Sequence, residues 1–280
     1  MAHSSWLAVT GYELSSRRLM RHWRKTMSHS IFEDGVEFYN VAHRGFSAIA
    51  PENTIAAFEK GIEAGANMLE MDVMMTGDNH VIVFHDYRLG RTTNGNGLVK
   101  KQNLNDIRSL DAGIWFGHKY KEERIPLLDE VLEMAKGRVR LNIEMKHRRH
   151  NGVYGLVDKC ERIVERHRMG DDVIFSSFNL EALRYLHYKA PHLRFAPLYR
   201  HNLNPTPRSF PLQYGAQGIV LNHLFLNRTT VRQFHNLGIK VFVYTVNGLH
   251  KIEKMIKMGV DGVISDDPAA VSSIAKKILG

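Results

Sequence analysis

From Phe38 onward, apolar positions fall into two alternating rhythms: short runs of strand length, and longer stretches with helical spacing. Phe38–His43 predicts a first strand. Thr54 to about Ala64 predicts a helix, with Asn53 as its N-cap and Gly65 as its stop. Asn67–Met74 reads as a second strand. The turn Thr76-Gly77-Asp78-Asn79 leads straight into residues 80–85, a link too short for a parallel crossover, which needs about a dozen residues. Residues 80–85 are therefore expected to pair back on the second strand as a hairpin. The next helical pattern, Leu127–Lys136, begins after Pro126, so residues 76 to about 126 form an insertion rich in Gly, Asn and Thr.

The rest is regular. Strands are predicted at Val139–Glu144, Val173–Ser176, Leu193–Leu198, Gly218–Leu221, Lys240–Val246 and Asp261–Ile264. Helices are predicted at Val153–His167, from Leu180, after Asn227, around His250–Met258 and from Pro268. Only the link between the fifth and sixth strands has a weak helix signal. Leaving out the hairpin, eight strands remain, all joined by connections long enough for parallel crossovers. This order predicts an α/β fold, a closed (β/α)8 barrel with an insertion between strand two and helix two.

Composition narrows the picture. The chain has 280 residues, 44% of them hydrophobic, which suits one barrel-sized domain at 36–280. Residues 1–35 read as a separate basic extension. Within it, residues 14–27 carry Arg17, Arg18, Arg21, Arg24 and Lys25, with Ser16, Met20, Trp23 and Met27 on one helical face. That segment reads as an amphipathic helix for peripheral membrane contact, as a targeting peptide, or as a solvated extension. No apolar run is long enough for a transmembrane helix or a signal-peptide core, so a cytoplasmic location is expected. The single cysteine, Cys160, sits in a helical pattern and reads as a packed thiol. The net charge of +9 reads either as solubility or as attraction to anionic partners. No nucleic-acid motif accompanies it; phosphorylated small molecules or an anionic membrane fit better.

The candidate chemistry lies at predicted strand ends, where an α/β barrel keeps its active site. Glu70 and Asp72 are two apart on one strand and share a face. Glu144 ends the neighbouring strand. Three carboxylates in a barrel mouth must be protonated, paired with cations, or bound to a divalent metal. Oxygen ligands suit Mg²⁺ or Ca²⁺, and no matched His or Cys set favours zinc. The competing reading is neutralisation by Arg44 and Lys146. Those two cations can alternatively hold a phosphoryl group. His43 ends the first strand and His85 ends the hairpin strand, and histidines there can move protons to and from ester oxygens. Nearby carboxylates are expected to help one of them act as the acid. Glu52 can orient a histidine, reach the metal shell, or simply sit beside a helix N-terminus.

At these residues the chain resembles the glycerophosphodiester phosphodiesterase family, within the phospholipase-C-like phosphodiesterases. The matching segments are AHRGFSAIAPENTIAAFEKGIEAGANMLEMDVMMTGDNHVIVFHD, RTTNGNG, ERIPLLDEVLE, LNIEMK, YTVN and GVDGVISDDP, in the family's order from residue 42 to 268. The resemblance implies a TIM barrel, one divalent cation (Mg²⁺ or Ca²⁺) on Glu70, Asp72 and Glu144, and His43 and His85 as the acid–base pair. It implies Arg44 and Lys146 on phosphate, and hydrolysis of a small glycerophosphodiester to glycerol 3-phosphate and an alcohol. The attacking group is either water or the substrate's own glycerol hydroxyl. Tyr244 stands where the family often has Trp. The alternative substrate is a lysophospholipid, cut at a membrane surface to lysophosphatidic acid. For that reading, Trp23, the insertion residues Ile114, Trp115 and Phe116, and the segment Pro205–Tyr214 are the candidate lipid contacts.

Overall fold

The computed structural model describes residues 35–146, 153–200 and 209–280. The basic segment 14–27 with Trp23, and residues 205–208 of the Pro205–Tyr214 segment, lie outside the described residues. Nine strands run in chain order: β1 (Tyr39–His43), β2 (Met68–Met75), β3 (Val81–Val83), β4 (Arg140–Met145), β5 (Val173–Ser177), β6 (Arg194–Tyr199), β7 (Gly218–Asn222), β8 (Lys240–Tyr244) and β9 (Gly262–Ser265). β1, β2 and β4–β9 pair in parallel in the order β1-β2-β4-β5-β6-β7-β8-β9, and β9 returns to β1 to close the barrel. β3 pairs antiparallel with the last residues of β2, Val73–Met75, as a hairpin standing past the barrel rim. The sequence expectation of an eight-stranded α/β barrel with an insertion after strand two is borne out.

Helices α1 (Ile55–Glu63), α3 (Leu128–Ala135), α4 (Val153–His167), α5 (Leu180–Lys189), α6 (Ser209–Tyr214), α7 (Arg228–His235), α8 (Leu249–Met258) and α9 (Pro268–Leu279) return the chain between strands and after the last one, and α2 (Leu104–Arg108) belongs to the insertion. The weak signal between the fifth and sixth strands corresponds to α6, only six residues long. Alternation along β2 explains how the barrel keeps two chemistries apart. Leu69, Met71 and Val73 point outward into a fully buried apolar layer shared with Phe58, Leu132, Ile143 and Val157. Glu70 and Asp72 point inward, beside Asn142 and Glu144 of β4 in register. Below them the Tyr39 and Phe242 rings plug the lumen with centroids 5.6 Å apart. Cys160 is buried in α4 within the outer apolar layer, and burial pushes its thiol pKa up, as befits a packing residue. Among the described residues no helix is long and apolar enough to cross a membrane.

The turn from β1 into α1 departs from the expected capping. Thr54, not Asn53, is the N-cap: its Oγ1 accepts the Ala57 N–H at 3.2 Å and donates to the Pro51 carbonyl at 2.7 Å. Asn53 sits before the cap in a left-handed conformation, φ 58°, with its side chain committed elsewhere. Gly45 has φ +82°, and a Cβ there would lie 2.5 Å from the Ala57 carbonyl carbon. Only glycine allows the loop to press onto α1, where the Phe46 N–H donates to the Ala57 carbonyl at 2.8 Å. Gly45→Ala should therefore cost about 3 kcal/mol from left-handed strain and steric overlap together. Urea unfolding of the two proteins checks this, and equal midpoints would refute it.

Candidate active site

The expected site residues converge at the C-terminal mouth of the barrel. Glu70, Asp72 and Glu144 each offer an oxygen within 4.8 Å of the others, and all three side chains are buried. Their cations are unevenly shared. Lys146 Nζ lies 2.9 Å from Glu144 Oε1 and 3.4 Å from Asp72 Oδ1. Arg44 Nε lies 3.1 Å from Asp72 Oδ2. Asn53 fastens Asp72 twice: its Nδ2 donates to Asp72 Oδ2 at 2.9 Å, and its Oδ1 accepts the Asp72 N–H at 3.3 Å. The left-handed backbone at Asn53 aims the side chain inward, where an N-cap residue would have turned it back on α1.

Glu70 is left out of this sharing. Its Oε2 accepts the Arg44 backbone N–H at 3.0 Å, and His43 Nε2 is 4.0 Å away. Burial, joined by the neighbouring charge of Asp72, pushes the Glu70 pKa up to about 8. At Asp72 burial also acts upward, but Arg44 and Lys146 outweigh it and hold the carboxyl well below its usual range. Glu144 is shifted up, by burial and then by Asp72. Two permanent cations thus face three carboxylates, and Glu70, which neither the Lys146 ammonium nor the Arg44 guanidinium pairs with, is driven toward its protonated form. The all-oxygen donor set and this unmet negative charge fit a hard divalent cation.

The histidines stand on either side of this cluster, each with Nδ1 held by an aspartate. His43 Nδ1 is 2.6 Å from Asp266 Oδ1, and His85 Nδ1 is 2.5 Å from Asp86 Oδ1. A carboxylate at Nδ1 fixes the proton there and leaves Nε2 free for chemistry. Burial lowers the proton affinity of both rings, yet they end apart. At His43 the hydrogen bond to Asp266 leads the opposition to burial, with Glu70 adding to it when ionised, and its pKa rises. At His85 burial, Arg44 and Lys146 outweigh Asp72 and Asp86, and its pKa falls.

Glu52 goes to neither a histidine nor the carboxylate cluster. Its Oε1 accepts from Arg44 Nη1 at 2.7 Å, and its two oxygens accept from Arg91 Nη1 and Nη2 at 2.8 and 2.7 Å. Glu52 instead braces two arginines, a use that no local sequence signal announces. Asp266, Asn247 and Arg91 join the site beyond the residues expected of it. Asp266 follows β9, with Asn247 Nδ2 donating to its Oδ2 at 2.6 Å. Both lie inside segments that match the family pattern, YTVN and VISDDP, and their order in that pattern was the available signal. Spacing alone gives none, because Asp266 is 223 residues from His43.

Two cavities open on the mouth. One, of about 430 Å³, runs from His85 and Lys146 to Phe178 and Arg200. The other, of about 440 Å³, runs from His43 and Arg44 to Asn247 and Asp267. Tyr244 stands edge-on to Phe178, centroids 6.0 Å apart, and its hydroxyl donates to the Tyr199 carbonyl at 3.0 Å. The insertion aromatics pack largely on one another: Phe116 meets both Trp115 and Tyr120 edge-to-face.

A closed α/β barrel with its polar cluster at the C-terminal strand ends has the architecture of a TIM-barrel enzyme. Comparison with known proteins then gives the family. Residues 43–270 match the model of the glycerophosphoryl diester phosphodiesterase family. A glycerophosphodiester phosphodiesterase of Caldanaerobacter subterraneus subsp. tengcongensis is 40% identical over 241 residues, which cover 85% of this chain and 97% of that protein. Among solved structures, a phosphodiesterase of Oleispira antarctica in complex with the product sn-glycerol-3-phosphate superposes with a TM-score of 0.80. It shares 31% identity over 84% of this chain and 96% of its own. A glycerophosphodiester phosphodiesterase of Agrobacterium tumefaciens gives a TM-score of 0.73 at 29% identity, covering 83% of this chain and 98% of its own. The chain belongs to the glycerophosphodiester phosphodiesterase family and is a phosphoric diester hydrolase.

The Glu70 shift has a measurable consequence. A carboxyl whose pKa rises from 4.5 unfolded to about 8 folded binds its proton more tightly in the folded state. Its stabilising contribution is complete below pH 4.5 and is lost as pH rises through 8. In protein stripped with EDTA, the melting temperature should therefore fall between pH 5 and pH 8. Adding Mg²⁺ or Ca²⁺, or substituting Glu70→Gln, should flatten that fall. A slope unchanged by all three would remove Glu70 as its source.

Proposed function

We propose that this enzyme hydrolyses small glycerophosphodiesters to glycerol 3-phosphate and an alcohol, by histidine acid–base catalysis beside a divalent cation. The observation that carries this reading is the pair of histidines, each with Nδ1 on an aspartate, flanking three buried carboxylates with too few cations. The product bound to the Oleispira antarctica relative supports the substrate class. Membership of this family does not favour the lysophospholipid alternative.

Glu70, Asp72 and Glu144 would hold the cation, Mg²⁺ or Ca²⁺. When bound, it supplies Lewis-acid stabilisation of negative charge on the phosphoryl oxygens. The rest falls to the chain's own side chains. Arg44 and Lys146 present fixed positive charge to the phosphate from the same mouth, so developing charge meets preorganised partners. His85, with its lowered pKa, is neutral near pH 7 and takes the proton from the attacking hydroxyl at Nε2. His43, with its raised pKa, carries a proton and gives it to the departing ester oxygen. The new P–O bond forms as the old one breaks, and each histidine ends in the other's starting state. With water attacking, exchange with solvent resets both. With the glycerol hydroxyl attacking, water then opens the cyclic phosphate with the two histidines in reversed roles, which restores them. Asp266 and Asp86 hold the rings so that the same nitrogen faces substrate throughout.

Phosphorus NMR of the purified chain with glycerophosphocholine and Mg²⁺ or Ca²⁺ should show glycerol 3-phosphate appearing. EDTA should stop it, and lysophosphatidylcholine should be cut far more slowly. Lysophosphatidic acid as the main product would instead assign the enzyme to lipid substrates. His43→Ala and His85→Ala should each lower kcat by about 10²–10⁴-fold with melting temperature preserved. Wild-type turnover in either variant would end the acid–base assignment.

A further inference from the structure

Arg91 lies in the insertion, outside the three-carboxylate cluster, yet every nitrogen of its guanidinium is committed. Nη1 and Nη2 donate to Glu52 at 2.8 and 2.7 Å, and Nε donates to Asp86 Oδ2 at 2.6 Å, with Nη2 also 3.2 Å from Asp86 Oδ1. The two carboxylates it joins each hold one working group. Asp86 Oδ1 meets His85 Nδ1, and Glu52 Oε1 meets Arg44 Nη1. An unbroken line of short contacts therefore runs His85–Asp86–Arg91–Glu52–Arg44 and ends on Asp72.

We propose that Arg91 is a positioning residue, which sets His85 and Arg44 in a common register through the two carboxylates. The proposal rests on the phosphodiesterase reading above, in which His85 moves the proton and Arg44 faces the phosphate. The bland alternative is an ordinary ion pair on a half-exposed side chain, 46% accessible, of the kind worth about 0–1 kcal/mol. Three observations argue for the larger role. Both edges of the planar fork are matched by carboxylates, a geometry lysine cannot copy. Its turn, Leu89–Arg91, is already anchored without it, by buried Leu89 and by Thr93 Oγ1 donating to the Leu89 carbonyl at 2.7 Å. Without Arg91, among the described residues Glu52 would keep only Arg44 and Asp86 only His85, so each carboxylate would be free to draw its partner out of alignment with substrate.

The test uses the full-length chain with Mg²⁺ and glycerophosphocholine. Arg91→Ala should lower kcat by about 10–100-fold, the cost typical of removing an outer partner of a site residue, with a smaller change in KM and little change in melting temperature. Arg91→Lys should recover little, whereas free guanidinium ion should restore part of the loss. Placed on an Asp86→Asn background, Arg91→Ala should cost much less than it does alone, because both act on His85 by one route. The ¹⁵N spectrum of His85 provides a readout that needs no turnover: one Nδ1–H tautomer in the parent, a mixture in Arg91→Ala. Wild-type kcat in Arg91→Ala, or an unchanged His85 spectrum with fully additive losses, overturns the proposal. If the parent chain cleaves no glycerophosphodiester, the phosphodiesterase reading fails first, and the His85 spectrum still decides whether Arg91 positions the ring.

Discussion

Everything at the mouth of this barrel answers to the burial of three carboxylates on two neighbouring strands. Alternation along β2 and β4 forces Glu70, Asp72 and Glu144 to one side, and parallel register brings Asp72 level with Glu144. Charges in that setting lose hydration and repel. Arg44, Lys146 and Asn53 are the chain's own response, and all three are directed chiefly at Asp72 and Glu144. The remaining imbalance falls on Glu70. That imbalance is what a hard divalent cation would relieve, and the uneven sharing of cations leaves the two histidines with opposite shifts in proton affinity.

The fold was legible because each local signal agreed with the next. Strand-length apolar runs, helical spacing and terminating glycines all pointed to the same alternation, and the five-residue link between Met75 and Val81 excluded a parallel crossover. The candidates His43, Arg44, Glu70, Asp72, His85, Glu144 and Lys146 stood out because histidines and charged side chains are unusual at or just past strand ends, and folding brings them to one mouth. What stayed hidden were the contacts made by folding. Asp266 meets His43 only because β9 closes on β1. Glu52 meets Arg91 because the insertion folds back over the β1–α1 loop, a contact that depends on an irregular segment with no periodicity to read. Asn53 was misjudged for a related reason. Asn is a good N-cap by propensity, but the buried Asp72 carboxylate outcompetes a helix end for its amide, and Thr54 takes the cap.

The insertion thereby has more than one part in the molecule. Leu89, Val99, Ile107 and Ile125 give it a small apolar core of its own with Ile82 and Phe84. That core lets it present charged side chains at a fixed position on the barrel rim. His85 and Asp86 reach the mouth from its first strand, and Arg91 from the turn that follows. Catalytic loops in barrels are commonly described as variable decoration on a rigid scaffold. Here the segment after β2 is itself structured enough to serve as scaffold for His85 and Asp86.

The two histidines also differ in how far along the chain their partners lie. His85 is neighbour to Asp86, so a ribosome that has made the first hundred residues has already made both. His43 is made earlier still, but its partner emerges some two hundred residues later, at the end of the last strand, 223 positions away. Synthesis therefore completes the His43–Asp266 contact only when the final strand docks and seals the ring. A polypeptide stalled before β9 contains His85 and Asp86 but not yet the partner of His43.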